Sequence, residues 1–410
     1  MDSLAAQRIC NLLEHDLGVT LEPAALLGGT TLAQLQESLA VALGVAVKAP
    51  RIVAPGEVEP RDAAERLLAR VVAEVLGMRP PGVTDDLRAA GLTAGAKREI
   101  AARVSRETGA TLDAGTLFAV PTVEAAAETV RQADETEAAS LVRPIRAGGP
   151  NPPVLLAHPA GGTTGVYKAL AGLLDGSRPV FGLERLEGPV PARAAQYAQL
   201  IVNKFPGGGW VLGGWSFGGV LGYEVARQLS EAGHHPGLVV LLDAALPLPP
   251  GPGGEGEALA HRFAAFADYL ERTYGRQVRL PVSDLLGLAE DEQFDLLTQR
   301  MTAAGLTDVL SPAILRHQRQ SHEDTRALER YEPGKYDGPV LLYRTEQDTP
   351  WAVHDPRYQI TSEGRGWDLL CPSLTAIPVD AHHLNLLDPP AVHTVAAHLR
   401  TLLASQGGPT

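Results

Sequence analysis

Ser216 lies in the run Trp210-Val211-Leu212-Gly213-Gly214-Trp215-Ser216-Phe217-Gly218-Gly219, which passes from an apolar strand-like segment straight into an amphipathic helical one. A serine on a tight strand-to-helix turn, with glycines two positions to either side, has the layout of a nucleophile elbow. The glycines let neighbouring backbones pass close and leave the hydroxyl accessible to a base. A serine nucleophile of this kind needs an acid and a histidine, and in this arrangement they follow it in the order Ser, acid, His. Two carboxylates end strand-like runs after Ser216: Asp243, behind Leu238-Val239-Val240-Leu241-Leu242, and Asp348, just past Leu341-Leu342-Tyr343. Either also suits the cap of a following helix or turn. The last apolar run, Leu374 to Val379, leads into Asp380-Ala381-His382-His383-Leu384, so the base is one of two adjacent histidines. The negative charge of a tetrahedral intermediate calls for backbone amides. One is that of Phe217, directly after the serine. The other belongs to the loop His158-Pro159-Ala160-Gly161-Gly162, where Pro159 has no N–H and Ala160 is the candidate.

These residues need a scaffold that gathers strand ends along one edge. Strands are expected at Val154–Ala157, Pro179–Gly182, Trp210–Gly213, Leu238–Leu242, Pro339–Tyr343 and Leu374–Val379, alternating with helical segments. Such alternation indicates an α/β protein with a mostly parallel sheet flanked by helices. With the elbow, it predicts an α/β-hydrolase fold over 154–405. The stretch between Asp243 and Tyr343 exceeds one crossover and reads as a helical lid, 246–335, with helices over 257–274, 283–304 and 311–331. Ser311-Pro312 fits an N-cap followed by proline in the first turn. Phe263, Phe266, Leu270, Leu297 and Leu315 are candidates to line an acyl channel beneath the lid or, equally, to pack it.

The 410 residues imply two or three domains. A net charge of −13 argues against nucleic acid as a partner. Only Cys10 and Cys371 occur, without paired spacing, so neither a disulfide framework nor a structural zinc site is expected. His234, His235, His317 and His322 lack partners at ligand spacing, and no metal is expected. No run is long enough for a membrane span and no signal-peptide pattern opens the chain. A soluble, cytoplasmic protein follows as the expectation.

The N-terminal third contains a repeat. Residues 1–35 align with 92–126 at constant offset, pairing Ile9 with Ile100, Gly18 with Gly109 and Thr31 with Thr122. The second copy has an amphipathic first helix over Arg61–Leu76 that the first lacks. The expected organisation is a truncated unit (1–44), a Pro/Val-rich linker (45–60), a complete small four-helix unit (61–131) and a second linker (132–153) before the catalytic domain. The opening Asp2-Ser3-Leu4 and the Pro121-Thr122-Val123 close resemble acyl carrier domains of modular synthases. By that resemblance Ser3 matches the serine that bears a phosphopantetheine arm. In the complete copy Thr93 stands at the aspartate and Ala94 at the serine, so position 94 has no hydroxyl to carry the arm. The complete unit then reads as a docking spacer, and Ser3 either as a carrier serine or as a helix cap.

From about Leu141 to Leu403 the chain resembles the C-terminal thioesterase domains of type I modular polyketide synthases, nearest the mycolic-acid condensing members. The likeness rests on His158–Gly162, Tyr167, Gly182–Arg185, the Ser216 elbow, Leu241-Leu242-Asp243 and His383. It implies Asp243 rather than Asp348 as the acid and His383 rather than His382 as the base. It also implies release or transfer of an acyl chain, in polyketide or mycolic-type lipid biosynthesis, from a phosphopantetheine thioester through acyl-Ser216. The thioester comes from upstream synthase domains, the acceptor is water, a sugar hydroxyl or the chain's own hydroxyl, and the thioesterase itself needs no cofactor. Two alternatives are a free-standing esterase or editing thioesterase with docking units, and a non-catalytic synthase fragment.

Overall fold

The computed structural model describes residues 58–250, 254–280, 282–307, 310–350, 355–358, 360 and 362–405. The chain divides into two compact units, Met1–Ala54 and Pro55–Thr410, and all described residues fall in the second. Ser3, the truncated first repeat and most of the 45–60 linker therefore lie outside the described residues.

The complete repeat is a small helical domain built from α1 (Ala63–Leu76), α2 (Ala94–Thr108), α3 (Ala114–Leu117) and α4 (Val123–Glu137). Each helix begins at the side chain that sequence chemistry would choose. Asp62, Thr93, Asp113 and Thr122 all accept a first-turn amide, satisfying a donor that helix geometry leaves free. Leu68, Val71, Val72, Ile100, Val104, Val123 and Ala126 form the shared core. Each fully buried Leu, Ile or Val there contributes roughly 1.5–3 kcal/mol.

The expected linker over 132–153 is corrected. Gln132–Glu137 ends α4, and Val142–Arg146 is strand β1. Arg143, Pro144 and Arg146 hide this strand from hydropathy. It is an edge strand, where proline is tolerated, and it pairs antiparallel with β3 (Val180–Leu183).

The seven-stranded sheet runs in the order β1-β3-β2-β4-β5-β6-β7, with β2 (Val154–Ala157), β4 (Val211–Trp215), β5 (Leu238–Leu242), β6 (Val340–Thr345) and β7 (Leu374–Val379). All pairs but the first are parallel. Alternate residues face opposite layers. Leu155, Leu212, Val239, Leu241 and Leu342 pack with α6 (Val190–Lys204) and α7 (Phe217–Glu231). Val154, Leu156, Val211, Val240, Leu242 and Tyr343 pack with α5 (Lys168–Leu173) and the C-terminal helix α12 (Ala391–Ser405). This two-sided burial explains why the central strands read as unbroken apolar runs. The architecture is an α/β-hydrolase fold.

Between β5 and β6, in the segment expected as a lid, lie the helices α8 (Gly254–Tyr274), α9 (Val282–Leu286), α10 (Glu290–Ala303) and α11 (Pro312–Glu329). The predicted 283–304 helix is two helices, interrupted around Gly287. Ser311 caps α11 with Pro312 in its first turn. Phe263, Leu270 and Leu297 are buried in a core of the lid's own, against which Phe266 and Leu315 pack, so these residues hold the lid together.

Candidate active site

Ser216 sits between β4 and α7 with φ 57° and ψ −125°, a backbone conformation costly for a residue with a Cβ. The surroundings fix it there. A Cβ on Gly214 would come 2.6 Å from the Gly218 carbonyl carbon, and one on Gly218 would come 2.2 Å from the Ala157 oxygen. Only glycines let the turn pass this close to β2. Tyr167, fully buried, ties the same strands: its hydroxyl donates to the Ala157 oxygen (2.6 Å) and accepts from the Trp215 amide (2.8 Å).

Register places the acid next door. Trp215 pairs with Leu242, so Ser216 and Asp243 leave adjacent strands at the same level. Asp243, 7% exposed, accepts from His383 Nδ1 at 2.8 Å through Oδ2. It also accepts from the Thr345 amide and Thr345 Oγ1, both at 2.9 Å. Burial pushes the Asp243 carboxyl upward, but the His383 imidazole, the Thr345 amide and Arg365 outweigh it and hold it down at about 2. The rival Asp348 is exposed, and its neighbour Thr349 accepts from the His383 amide at 3.1 Å.

His383 opens a short 3-10 turn, His383–Asn385, after β7. Its ring lies 5.2 Å from that of Trp215, whose Nε1 donates to the His383 carbonyl at 3.1 Å. The histidine is thus fastened to the residue preceding Ser216 and to Asp243. The amide of His382 donates to Asn385 Oδ1 at 2.9 Å, capping the same turn.

Phe217 is the first residue of α7, where an amide has no acceptor within the helix. The His158–Gly162 loop is pinned from above by α11. Gly161 N–H donates to Asp324 Oδ2 at 3.0 Å, and the Gly161 carbonyl lies 2.8 Å from His317 Nδ1. Asp324 is wholly buried and also accepts from Arg193 (2.6 Å) and Arg185 (3.4 Å). His158, wholly buried as well, is pulled down to about 4 by burial and is therefore neutral at physiological pH. Among the described residues no group of three or more His, Cys, Asp or Glu is placed to hold a metal ion. No described helix is long and apolar enough to cross a membrane.

The structure thus brings Asp243 and His383 together beside the Ser216 turn, and sets Phe217 at the head of α7. Thr345, Asp324 and His317 were not singled out as site residues in the sequence. Thr345 carries one usable signal, a hydroxyl at the end of the strand beside Asp243. Asp324 and His317 touch a loop more than 150 residues away, which no local pattern reveals.

Residues 152–271 match the family model described as Thioesterase domain. Over these residues the chain is similar to thioesterase domains, in agreement with its α/β-hydrolase architecture. Residues 66–130, ahead of it, match the model described as Phosphopantetheine attachment site. A dimodular nonribosomal peptide synthase of Bacillus subtilis (strain 168) is 27% identical over 346 residues, 80% of this chain and 14% of that protein. A probable non-canonical nonribosomal peptide synthetase of Salinispora arenicola (strain CNS-205) is 32% identical over 207 residues, 48% of this chain and 3% of that protein. The chain therefore spans a small part of the length of these relatives. A solved four-domain nonribosomal peptide synthetase bound to AMP and glycine aligns with a TM-score of 0.48 at 24% identity, covering 87% of this chain and 27% of that one. The sequence relatives named here are nonribosomal peptide synthetases, not the polyketide or mycolic-acid synthases that the sequence resemblance suggested.

The carrier-type domain does not fit the group its family attaches. Thr93 is the N-cap of α2, its hydroxyl accepting from the Ala96 amide at 3.2 Å, and Ala94 occupies the first helical position. An alanine methyl offers no oxygen for a phosphodiester.

Proposed function

We propose that the chain releases a peptidyl or other acyl group from a phosphopantetheine thioester carried elsewhere than on residue 94, through an acyl-Ser216 intermediate. His383 takes the Ser216 proton as the hydroxyl oxygen attacks the thioester carbonyl, and returns it to the departing thiol sulfur. Asp243 orients the imidazole and stabilises its protonated form. The amides of Phe217 and Ala160 stabilise the tetrahedral oxyanion. Water, or a nucleophile on the acyl chain itself, then attacks the ester, with His383 as base again. The observation carrying this reading is the 2.8 Å bond between His383 and an Asp243 held ionised, beside a serine at φ 57°. The kinship with peptide synthetases favours a peptidyl donor over a polyketide or mycolic chain. Upstream synthetase modules, or a separate carrier, supply that donor.

The reading is tested with a fluorophosphonate probe. The parent chain is expected to take up one probe at Ser216 and Ser216→Ala none. Unchanged labelling of Ser216→Ala, or none of the parent, contradicts the assignment.

A further inference from the structure

Arg66 of α1 belongs to the carrier-type domain, yet its guanidinium carbon lies 5.9 Å from the centroid of the Trp215 ring. Trp215 directly precedes Ser216 and carries His383 on the same indole. Among the described residues Arg66 makes no ion pair, and its Nε is buried without a hydrogen-bond partner. The acids nearest to it on its own helix are engaged elsewhere. Glu65 pairs with Arg61 (2.6 Å) and Arg131 (2.9 Å), and Asp62 with Arg131 (2.6 Å). Across the contact, Asp388 is near enough to feel Arg66 and Arg70 but forms no pair with either, and burial pushes its carboxyl upward. Burial correspondingly pulls the Arg66 guanidinium down. A half-buried cation with no salt partner among the described residues is costly, and a stacking contact on an indole offsets only part of that cost.

The domain that supplies Arg66 is fastened in place. Arg61 donates to the lid's Tyr274 hydroxyl at 3.2 Å. Arg143, 1% exposed, joins Asp134 and Glu137 of α4 (both 2.7 Å) to Glu184 after β3 (3.2 Å), and Lys168 pairs with Glu137 at 2.7 Å. A carrier must swing between partners; this domain is anchored and has lost its attachment residue.

We propose that the carrier-type domain forms a fixed wall of the thioesterase cleft, and that Arg66 binds an anionic oxygen group of the incoming donor. That group is a carboxylate of the acyl chain or the phosphate of the donor's own arm. The inference rests on the reading that Ser216 accepts the acyl group. A planar guanidinium over the ring of Trp215, the residue before the nucleophile, suits either anion through paired N–H donors.

Three donors separate the sources: the glutaryl thioester of N-acetylcysteamine carries only a carboxylate, the pentanoyl thioester of phosphopantetheine only a phosphate, and the pentanoyl thioester of N-acetylcysteamine neither. In the full chain, Arg66→Gln is expected to lower the kcat/KM ratio of one anionic donor to the uncharged donor by about ten- to hundredfold. Arg66→Lys, which keeps the charge but not the paired donors and guards against a folding artefact, is expected to restore part of the ratio. Ratios unchanged in Arg66→Gln overturn the proposal. A second readout needs no turnover: calorimetric binding of glutarate and of phosphopantetheine to Ser216→Ala, with and without Arg66→Gln. Weakening of one ligand by the same factor supports the proposal; no binding, or equal binding, overturns it. Failure of the serine assignment is distinguishable, because thioester cleavage would then survive Ser216→Ala.

Discussion

Asp243 is the residue on which the electrostatics of the site converge. Three hydrogen bonds and the nearby Arg365 outweigh the cost of burying its carboxylate. An acid held at about 2 remains ionised at every pH at which a histidine can act as a base, so it is always available to the imidazolium. Asp243→Asn is expected to lower kcat by about 10³–10⁴ while leaving phosphonate-accessible Ser216 in place, because an amide can hold the wrong imidazole tautomer. The same carboxylate contributes to stability. Its folded value lies below the ordinary 3.8, so the contribution is full above pH about 4 and disappears as pH falls toward 2. The size is about 2 kcal/mol. Urea melts of the parent and Asp243→Asn should therefore converge between pH 6 and pH 3. A gap that widens on acidification would show that Asp243 is not held low. The sequence points to this residue through its place at a strand end, and only the likeness to thioesterases separates it from Asp348. What decides between them physically is Thr345 and His383 closing on Asp243, about 100 and 140 residues further along.

At the scale of elements, α11 and the His158–Gly162 loop behave as one part. Asp324 and His317 hold the amide and the carbonyl of Gly161, next to the Ala160 amide proposed for the oxyanion. His317→Gln is expected to reduce kcat by about tenfold with little change in KM, since the loop serves the transition state more than the bound donor. Equal loss in KM alone would place His317 in donor binding instead. Asp324→Asn leaves the buried Arg193 facing a neutral amide and should cost about 3–5 kcal/mol in urea melts. The central strands and the elbow are legible in the sequence because burial on both faces and a glycine-bounded serine impose strong local patterns. Strand β1 and the end of α4 are not. Arg143, Pro144 and Arg146 interrupt the apolar pattern of β1, and the end of α4 is held by the Arg143 ion network, so charge and proline read as linker.

For the whole molecule, a domain similar to phosphopantetheine carriers precedes one similar to thioesterases, and Ala94 stands where the carrier's attachment serine would be. Incubation with coenzyme A and a phosphopantetheinyl transferase is expected to leave every peptide within 58–137 unmodified, as judged by peptide mass mapping. Modification within that range would overturn the docking role of the domain. The expected polyketide resemblance and the similarity to peptide synthetases have a common physical ground. An elbow and the residues that follow it serve one acyl-transfer chemistry whatever the acyl chain, so these motifs do not separate the two kinds of synthase. Arg66 shows the same limit: an ordinary helix residue by sequence, it reaches the Trp215 ring only through the packing of two domains.

The central claim is that Ser216 becomes acylated. Intact-mass measurement after rapid mixing with an acyl thioester tests it most directly. One acyl group should appear on the parent chain, map to the peptide containing Ser216 and be absent from Ser216→Ala. An adduct that persists in Ser216→Ala, or thioester cleavage that this variant still performs at the parent rate, would contradict it.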